Sequence, residues 1–423
     1  MNHDKIREVI FDNRTFIQNE QIVYRDCQFD DRVNYVLVGL RRAGKSTLLY
    51  GRVQELVKNG VSWNQIVYIN FEDERLAEFA LSDCNDIVQV ASELTDEKPC
   101  YFFDEIQNID GWEKFARRMA DAKERVYITG SNARMLSREI ETTLGARYMA
   151  KKIYPYSFAE FLRAKDIPCD KNALSATKSR GKITAACDEY LAHGGFPELF
   201  LHTDKRGYLT GVYQKILLGD VALRNGIRND KALRLLVKKI AESVCSEISY
   251  SKLHGILKAI GVTLGKDTLI DYIDYVKDAY LLFTIKNYVA AFAEKESNPK
   301  YYFNDNGILN LFLMKGDTAA LENVVAVTLS KRYGEELYYF KSAKSGIDVD
   351  FYVPQTQTAY QVAYSIEGAA RGREVANLEK LAKHFPEAKQ FFIVTKEEKE
   401  VIRTDKAEIH VVPMYEFLLE KGS

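Results

Sequence analysis

The chain has 423 residues, room for about three domains at the usual ~150 residues each. Its 59 Lys and Arg nearly cancel 60 Asp and Glu, and the net charge of -1 excludes a protein that coats nucleic acid through bulk basic charge. With 46% hydrophobic and 28% charged residues the chain buries cores, and its composition is not that of a disordered protein. Apolar runs such as Tyr280 to Ile285 fall far short of the ~20 residues of a membrane span, and the charged start MNHDKIREVIFDNR carries no signal-peptide core. A cytoplasmic protein without a membrane partner is expected. The six cysteines form no C-x-x-C pair and the six histidines no metal-binding spacing, so neither zinc nor a disulfide framework is expected.

Residues 1–30 form an N-terminal segment, and 31–165 alternate strands with helices. Tyr35 to Val38 is a buried strand, followed by Gly39 and a helix from Lys45 to about Lys58, with Gly60 just beyond its end. The runs Ile66 to Phe71, Cys100 to Phe103 and Arg125 to Thr129 predict three more strands, and 150–158 a fifth. Strands spaced by helices imply an α/β fold with a parallel sheet. Residues 166–235 read as a helical segment broken at His193-Gly-Gly-Phe-Pro197. Over 236–292, helix, turn, helix and the strand LLFTIKNYVA suggest a winged helix. EKESNP, from Glu294 to Pro299, looks like a linker, and 293–423 reads as a second α/β unit with strands DVDFYV, AYQVAY, QFFIVT and IHVVP.

The loop between the first strand and its helix, Gly39-Leu-Arg-Arg42-Ala43-Gly44-Lys45-Ser46-Thr47, fits G-x-x-x-x-G-K-[ST]. Its glycines let the backbone curl so that N–H groups and the helix N-terminus face phosphate oxygens. ATP is the expected ligand, with Lys45 on the β and γ phosphates and Ser46 on Mg²⁺. Cys100-Tyr-Phe-Phe-Asp104-Glu105 is an apolar strand ending in two acids, where an open sheet places its ligand. Asp104 is expected to hold the Mg²⁺ shell and Glu105 to orient or deprotonate the attacking water. Ser131 or Asn132, at the end of the strand Val126 to Thr129, is a candidate sensor of the γ-phosphate, and Glu72 and Asp73 are further acids at a strand end. The chain has neither an [NT]-K-x-D nor an L-S-G-G-Q motif, which disfavours Ras-like GTPases and ABC transporters. The acid pair favours ATP hydrolysis over nucleotide kinase chemistry.

These segments resemble the prokaryotic AAA-type ATPases of the archaeal-ATPase/STAND-like group, whose C-terminal half is a domain of unknown function related to PD-(D/E)-x-K nucleases. The resemblance runs over nearly the whole chain, through GLRRAGKSTLL, YINFED, FFDEIQNIDGWEKFARRMAD, ITGSNARMLSREIETTLGARY and IYPYSFAEFL. It continues through HGGFPE, ISYSKLHGILKAIG, YYFNDNGILN, LENVVA, SGIDVDFYV and YQVAYS. It implies an AAA-type core, a helical segment, a winged helix and a nuclease-like domain. It also implies that Arg147 acts on a neighbouring subunit's ATP, and hence a homo-oligomer, although Ala146 stands where relatives carry glycine.

A nuclease of that type needs carboxylates for Mg²⁺ and a lysine beside the water. Glu322 matches the first acid and Asp350 the second, with Asp348 on the same strand face. The next strand, however, has Gln361-Val-Ala363 in place of [DE]-x-K, and Lys341 or Lys344 would have to substitute. A degenerate nuclease fold is expected. Between 231 and 290 nine Lys and Arg face six Asp and Glu, yet the candidate recognition helix sets Lys266 and Lys277 against Asp267, Asp271, Asp274 and Asp278. Its net negative charge opposes entry into a DNA groove, so nucleic acid remains an alternative partner that charge does not support. The expected activity is an ATP-driven switch read by an unidentified protein partner. The alternatives are an ATP-gated nuclease and a module that binds nucleotide without hydrolysing it.

Overall fold

The computed structural model describes residues 2–130, 144–313 and 317–420, with the side chains of residues 317 and 369 left aside. The chain divides into two compact units, 1–154 with 278–280, and the remainder.

In the first unit five strands, β1 (Asn34–Val38), β2 (Ile66–Asn70), β3 (Cys100–Asp104), β4 (Arg125–Gly130) and β5 (Tyr148–Lys152), form one sheet in the order β2-β3-β4-β1-β5. Every pair is parallel, as strands joined through helices require. The inner strands β1 and β3 and the edge strand β2 are apolar and buried because both faces are covered, whereas the edge strand β5 is largely exposed. One face packs Leu48, Leu49, Val53 and Leu56 of α2 (Lys45–Lys58) against Tyr35, Leu37, Tyr68, Phe102 and Tyr127. The rings of Phe102 and Tyr127 stack there at 4.8 Å. Residues 1–30, delimited above as a segment of their own, belong to this unit. Asn2 caps α1 (His3–Asn19), and buried Arg14 donates from Nε to the carbonyl of Ile66 at 2.8 Å and from Nη2 to that of Asn64 at 3.0 Å. The described residues of this unit also form α3 (Cys84–Leu94) and α4 (Trp112–Asp121), and Phe115 of α4 packs on Phe103, on the sheet face opposite α2.

The second unit is built on eight strands in the order β12-β13-β11-β10-β9-β8-β6-β7. These are β6 (Leu282–Asn287), β7 (Lys300–Phe303), β8 (Tyr338–Ser342), β9 (Ile347–Val353), β10 (Thr358–Val362), β11 (Gln390–Thr395), β12 (Glu400–Arg403) and β13 (Glu408–Pro413). Strand β6, expected to close a winged helix, pairs antiparallel with β7 and parallel with β8. The boundary drawn at 292/293 thus falls between two paired strands of one sheet. The stretch read as a linker lies largely in a helix, Phe292–Ser297, whose Ala, Glu and Lys are good helix formers. Helix Ala369–His384 covers the sheet with Leu378 and Leu381 against Val349, Phe391 and Ile409.

The turn after helix Thr177–His193 is tied to the segment after β7 by one buried carboxylate. Asp305 accepts from the N–H of Gly195 on Oδ2 and from that of Gly307 on Oδ1, each at 2.8 Å. A Cβ at Gly194 would lie 2.1 Å from Asp305 Oδ1, so the close approach requires glycine there. Burial pushes the Asp305 carboxyl up to about 6, against the pull of these backbone donors.

A carboxyl whose proton affinity is higher when folded favours the native state below its unfolded pKa and loses that contribution as pH rises through about 6. Urea unfolding of wild type and Asp305→Asn at pH 4.5 and pH 7.5 checks this. The wild type is expected to lose on the order of 1–3 kcal/mol more than the variant over that interval.

Candidate nucleotide site

Three strand ends that stand side by side in the first sheet assemble the site: those of β3, β4 and β1. The chain leaves β1 through Gly39 at φ +144°, and a Cβ there would sit 2.0 Å from the carbonyl oxygen of Ile153. Only glycine passes that point. Arg42 is itself held at φ 61°, and Gly44 caps α2 without a side chain, leaving the helix's first N–H groups open to a ligand. Lys45 is buried and its ammonium donates to the carbonyls of Gly39 at 3.0 Å and Leu40 at 3.2 Å. Gly39, Arg42, Ala43, Gly44, Lys45, Ser46 and Thr47 are therefore brought together as one strand-to-helix loop.

Asp104 ends β3 at 1% exposure. Its Oδ2 accepts from the Tyr68 hydroxyl at 2.8 Å and its Oδ1 from the Thr129 hydroxyl. Burial and the adjacent Glu105 raise the proton affinity of Asp104, while hydroxyls of Thr129, Ser46 and Tyr68 oppose the rise. Burial first, then Asp104, pushes the Tyr68 phenol well above its ordinary range. Ser46 and Asp104, predicted as partners on one ion, are thus within each other's reach. Hydroxyl and carboxylate oxygens are hard donors of the kind Mg²⁺ takes one or two of, the remainder coming from phosphate and water. A cation beside Asp104 would also relieve the pressure toward protonation, so these residues fit Mg²⁺.

Glu105 follows with φ 51° and ψ 43°, a left-handed backbone costly for any residue with a Cβ. Its N–H donates to Thr129 Oγ1 at 3.0 Å, and its side chain, nearly buried, accepts from the Gln107 amide. Glu72 is also drawn to the loop, where Arg41 Nη2 donates to it at 3.2 Å. Asp73 instead caps the next turn, with Arg75 holding its carboxyl below the usual range. Arg147 pairs with Asp121 of α4 at 2.5 Å on the surface. Ser131 and Asn132 lie outside the described residues.

Tyr68, Thr129, Gln107 and Arg25 escaped the sequence reading. Arg25 clamps the loop from outside, donating from Nη1 to the carbonyl of Ala43 and from Nη2 to that of Tyr154, each at 2.8 Å. Thr129 was the accessible one, a hydroxyl ending a strand. Tyr68 reads as one more apolar residue, and nothing local marks Arg25.

The predicted acids of the second unit also converge, but on an internal cation. Lys300, at the start of β7, places Nζ 3.6 Å from Glu322 Oε1 and 3.4 Å from Asp350 Oδ1. Tyr302 donates to Glu322 at 2.6 Å, and the N–H of Val362 to Asp350 at 3.0 Å. Burial works against the Lys300 ammonium, yet Glu322 and Asp350 more than offset it and raise its proton affinity. Burial and Glu322 push Asp350 up to about 7. Gln361 does not face a cation: its carbonyl accepts from the N–H of Asp350 at 2.8 Å and its amide donates to Glu374. Ala363, buried, carries no polar group to this cluster. Lys341 pairs with Glu247 and Asp348 instead, Asp348 is largely exposed, and Lys344 is exposed in the turn after β8. Among the described residues no group of three His, Cys, Asp or Glu could hold a metal ion, and no helix is long and apolar enough to cross a membrane.

Comparison with known proteins bears on the first unit most directly. The model of an AAA domain matches residues 31–162, and that of a domain of unknown function, DUF8612, matches residues 184–319. An uncharacterized protein of Methanocaldococcus jannaschii is 31% identical over 389 residues, covering 89% of this chain and 85% of its own. One from Haemophilus influenzae is 30% identical over 378 residues, covering 86% and 91%. The chain belongs to the family of these two proteins. Its first unit is an AAA domain of P-loop type, an ATPase-like fold that supports nucleotide binding. A Walker-type ATPase of Pyrococcus abyssi is similar in structure, 14% identical, over 70% of this chain and 99% of that one at a TM-score of 0.43. The second family match runs across the boundaries drawn at 235 and 292 and carries no nuclease description.

Removing the cation while keeping the acids tests the reading of the second cluster as structural. Lys300→Met leaves two buried carboxylates uncompensated and is expected to cost about 3–5 kcal/mol in urea unfolding at pH 8. At pH 5, where the Asp350 carboxyl takes up a proton, the loss should shrink.

Proposed function

We propose that the protein binds ATP with Mg²⁺ on the loop 39–47 and hydrolyses it, and that the cycle drives a conformational switch passed to the second unit. The observation that carries the reading is the buried Asp104-Glu105 pair at the strand end beside that loop. Loop N–H groups and the Lys45 ammonium bind the phosphates. Lys45 leaves the carbonyls of Gly39 and Leu40 and gains phosphate oxygens, a charge-assisted bond in exchange for neutral ones. Ser46 and Asp104 would hold Mg²⁺, which neutralises charge developing on the phosphates.

Glu105 orients a water and takes its proton as the water oxygen bonds to the γ-phosphorus. The bond from that phosphorus to the bridging oxygen breaks, and ADP and phosphate leave. Thr129 and Tyr68 act through Asp104 as positioning residues. The sensor role of Asn132 or Ser131 and the action of Arg147 in a neighbouring subunit of a homo-oligomer belong to the same proposal. For the second unit we propose a winged-helix-like part at 236–292 and a degenerate nuclease-like part at 293–423, joined in one sheet through β6, β7 and β8, in contact with an unidentified protein partner in the cytoplasm. The Lys300 ammonium between Glu322 and Asp350 supports degeneracy over cleavage, because it already uses the oxygens a metal would need.

Phosphate release at saturating MgATP tests the proposal. Glu105→Gln is expected to bind ATP as tightly as wild type and to lose turnover by at least about 100-fold. Undiminished turnover in that variant removes Glu105 from the chemistry.

A further inference from the structure

The candidate recognition helix, Lys266–Asp278, runs into the first unit: residues 278–280 belong to that unit, whereas the chain before 278 and after 280 belongs to the second. The helix closes with the wrap-around bond of a Schellman turn. The N–H of Leu281 donates to the carbonyl of Val276 at 3.2 Å, and Tyr280 stands in the left-handed region at φ 57°. Glycine is the usual residue at that position, because a Cβ is crowded there. Here a buried tyrosine takes it, and a bulky side chain on such backbone persists only where its surroundings fix it.

Lys152, at the end of β5, helps to fix it. Its Nζ lies 5.3 Å from the centre of the Tyr280 ring and 4.7 Å from that of Tyr154, so one ammonium is shared between two aromatic faces. Ile153, between Lys152 and Tyr154, is the residue against which the nucleotide loop is set. Its N–H donates to the carbonyl of Val38 at 2.7 Å, and its carbonyl oxygen leaves no room for a Cβ on Gly39. Arg25 ties the carbonyl of Tyr154 to that of Ala43 in the loop. The segment 152–154 thus meets the loop through its backbone and Tyr280 through the side chain of Lys152.

We infer that Tyr280 takes up the state of the nucleotide loop, and that the chain on either side of it, helix Lys266–Asp278 and β6, carries that state into the second unit. The inference rests on the proposed ATP-driven switch and names its route. Gly39 and Ile153 already stand at the limit of approach, so a loop that closes on phosphate presses on 152–154. Tyr280 follows through the shared ammonium. From there the link is covalent. The helix whose charge opposes entry into a DNA groove has a use as this output.

Hydrogen–deuterium exchange of the full chain, nucleotide-free and saturated with Mg²⁺ and the non-hydrolysable analogue AMPPNP, tests the route. In the wild type, exchange over 266–287 is expected to change by about 5-fold or more on binding, the low end of typical coupling between sites. Lys152→Met keeps length and removes the charge from an exposed strand position, and Tyr280→Gly removes the ring while suiting the backbone. Each is expected to cut the change below about 2-fold, whereas Tyr280→Phe, which keeps a ring beside the ammonium, is expected to retain it. A purely packing role for Tyr280 would instead raise exchange alike in both states and leave their ratio as in the wild type. A folded, saturated Lys152→Met or Tyr280→Gly with the wild-type ratio overturns the inference, as does loss of the change in Tyr280→Phe. Lys152→Met decides where Tyr280→Gly does not fold. If the wild type fails to bind the analogue, or binds it and exchanges alike throughout the second unit, the proposed function falls. If it responds elsewhere in that unit but not over 266–287, only the route falls.

Discussion

A carboxylate buried at the end of a strand constrains everything around it in the first unit. Asp104 at 1% exposure cannot be solvated by water, and a charge in that position is tolerable only with donors on its oxygens. Those donors come from both flanking strands, Tyr68 on β2 and Thr129 on β4. Each reaches Asp104 only if the three strands keep one parallel register, with Asn70 opposite Asp104 and Ile128 opposite Phe103. The placement of this one acid therefore depends on the order and register of the three strands β2, β3 and β4. The same hydroxyl of Thr129 that meets Asp104 also fixes the backbone of Glu105, so the two acids are set by a single residue.

The second unit meets the same electrostatic problem and solves it differently. Glu322 and Asp350 share the ammonium of Lys300, and the phenol of Tyr302 completes Glu322. Hydroxyls stabilise a carboxylate without cancelling its charge, which leaves Asp104 able to attract a cation from solution. An internal ammonium cancels charge and takes up the lone pairs. Under the proposed function the first site exchanges an ion with its surroundings, whereas the second holds the Lys300 ammonium. Both hold acids that burial pushes toward protonation, so buried acids by themselves do not separate a working site from a structural one. The identity of the donor does.

What the sequence showed follows the same division. Gly39, Gly44, Lys45 and Ser46 were legible because phosphate binding by backbone imposes a fixed local spacing, and Asp104 and Glu105 because two acids after an apolar strand have few other uses. Strands β1 to β4, β6, β9, β10, β11 and β13 were legible as apolar runs, whereas β5 begins two residues before the predicted 150 and β7, β8 and β12 were not anticipated. Tyr68, Arg25 and Lys300 act across tens of residues and carry no local mark. Lys300 in particular follows a stretch whose charges suggested a linker, and in the fold that stretch is a helix leading into a sheet strand.

The sequence suggested a boundary at 292 because a helix, turn, helix and strand pattern ends there before the linker-like EKESNP, whereas hydrogen bonding ignores it. Strand β6 is bonded on one side to β7 and on the other to β8, both C-terminal to that point. Separating 236–292 from the rest would leave β7 and β8 each with an unpaired edge and expose Ile285 and Leu282. Asp305 adds a further tie, to the turn at Gly195, from a segment later still. Strand β6 is an inner strand of the second unit's sheet, so the stretch that carries it is built into that unit and is not a module beside it.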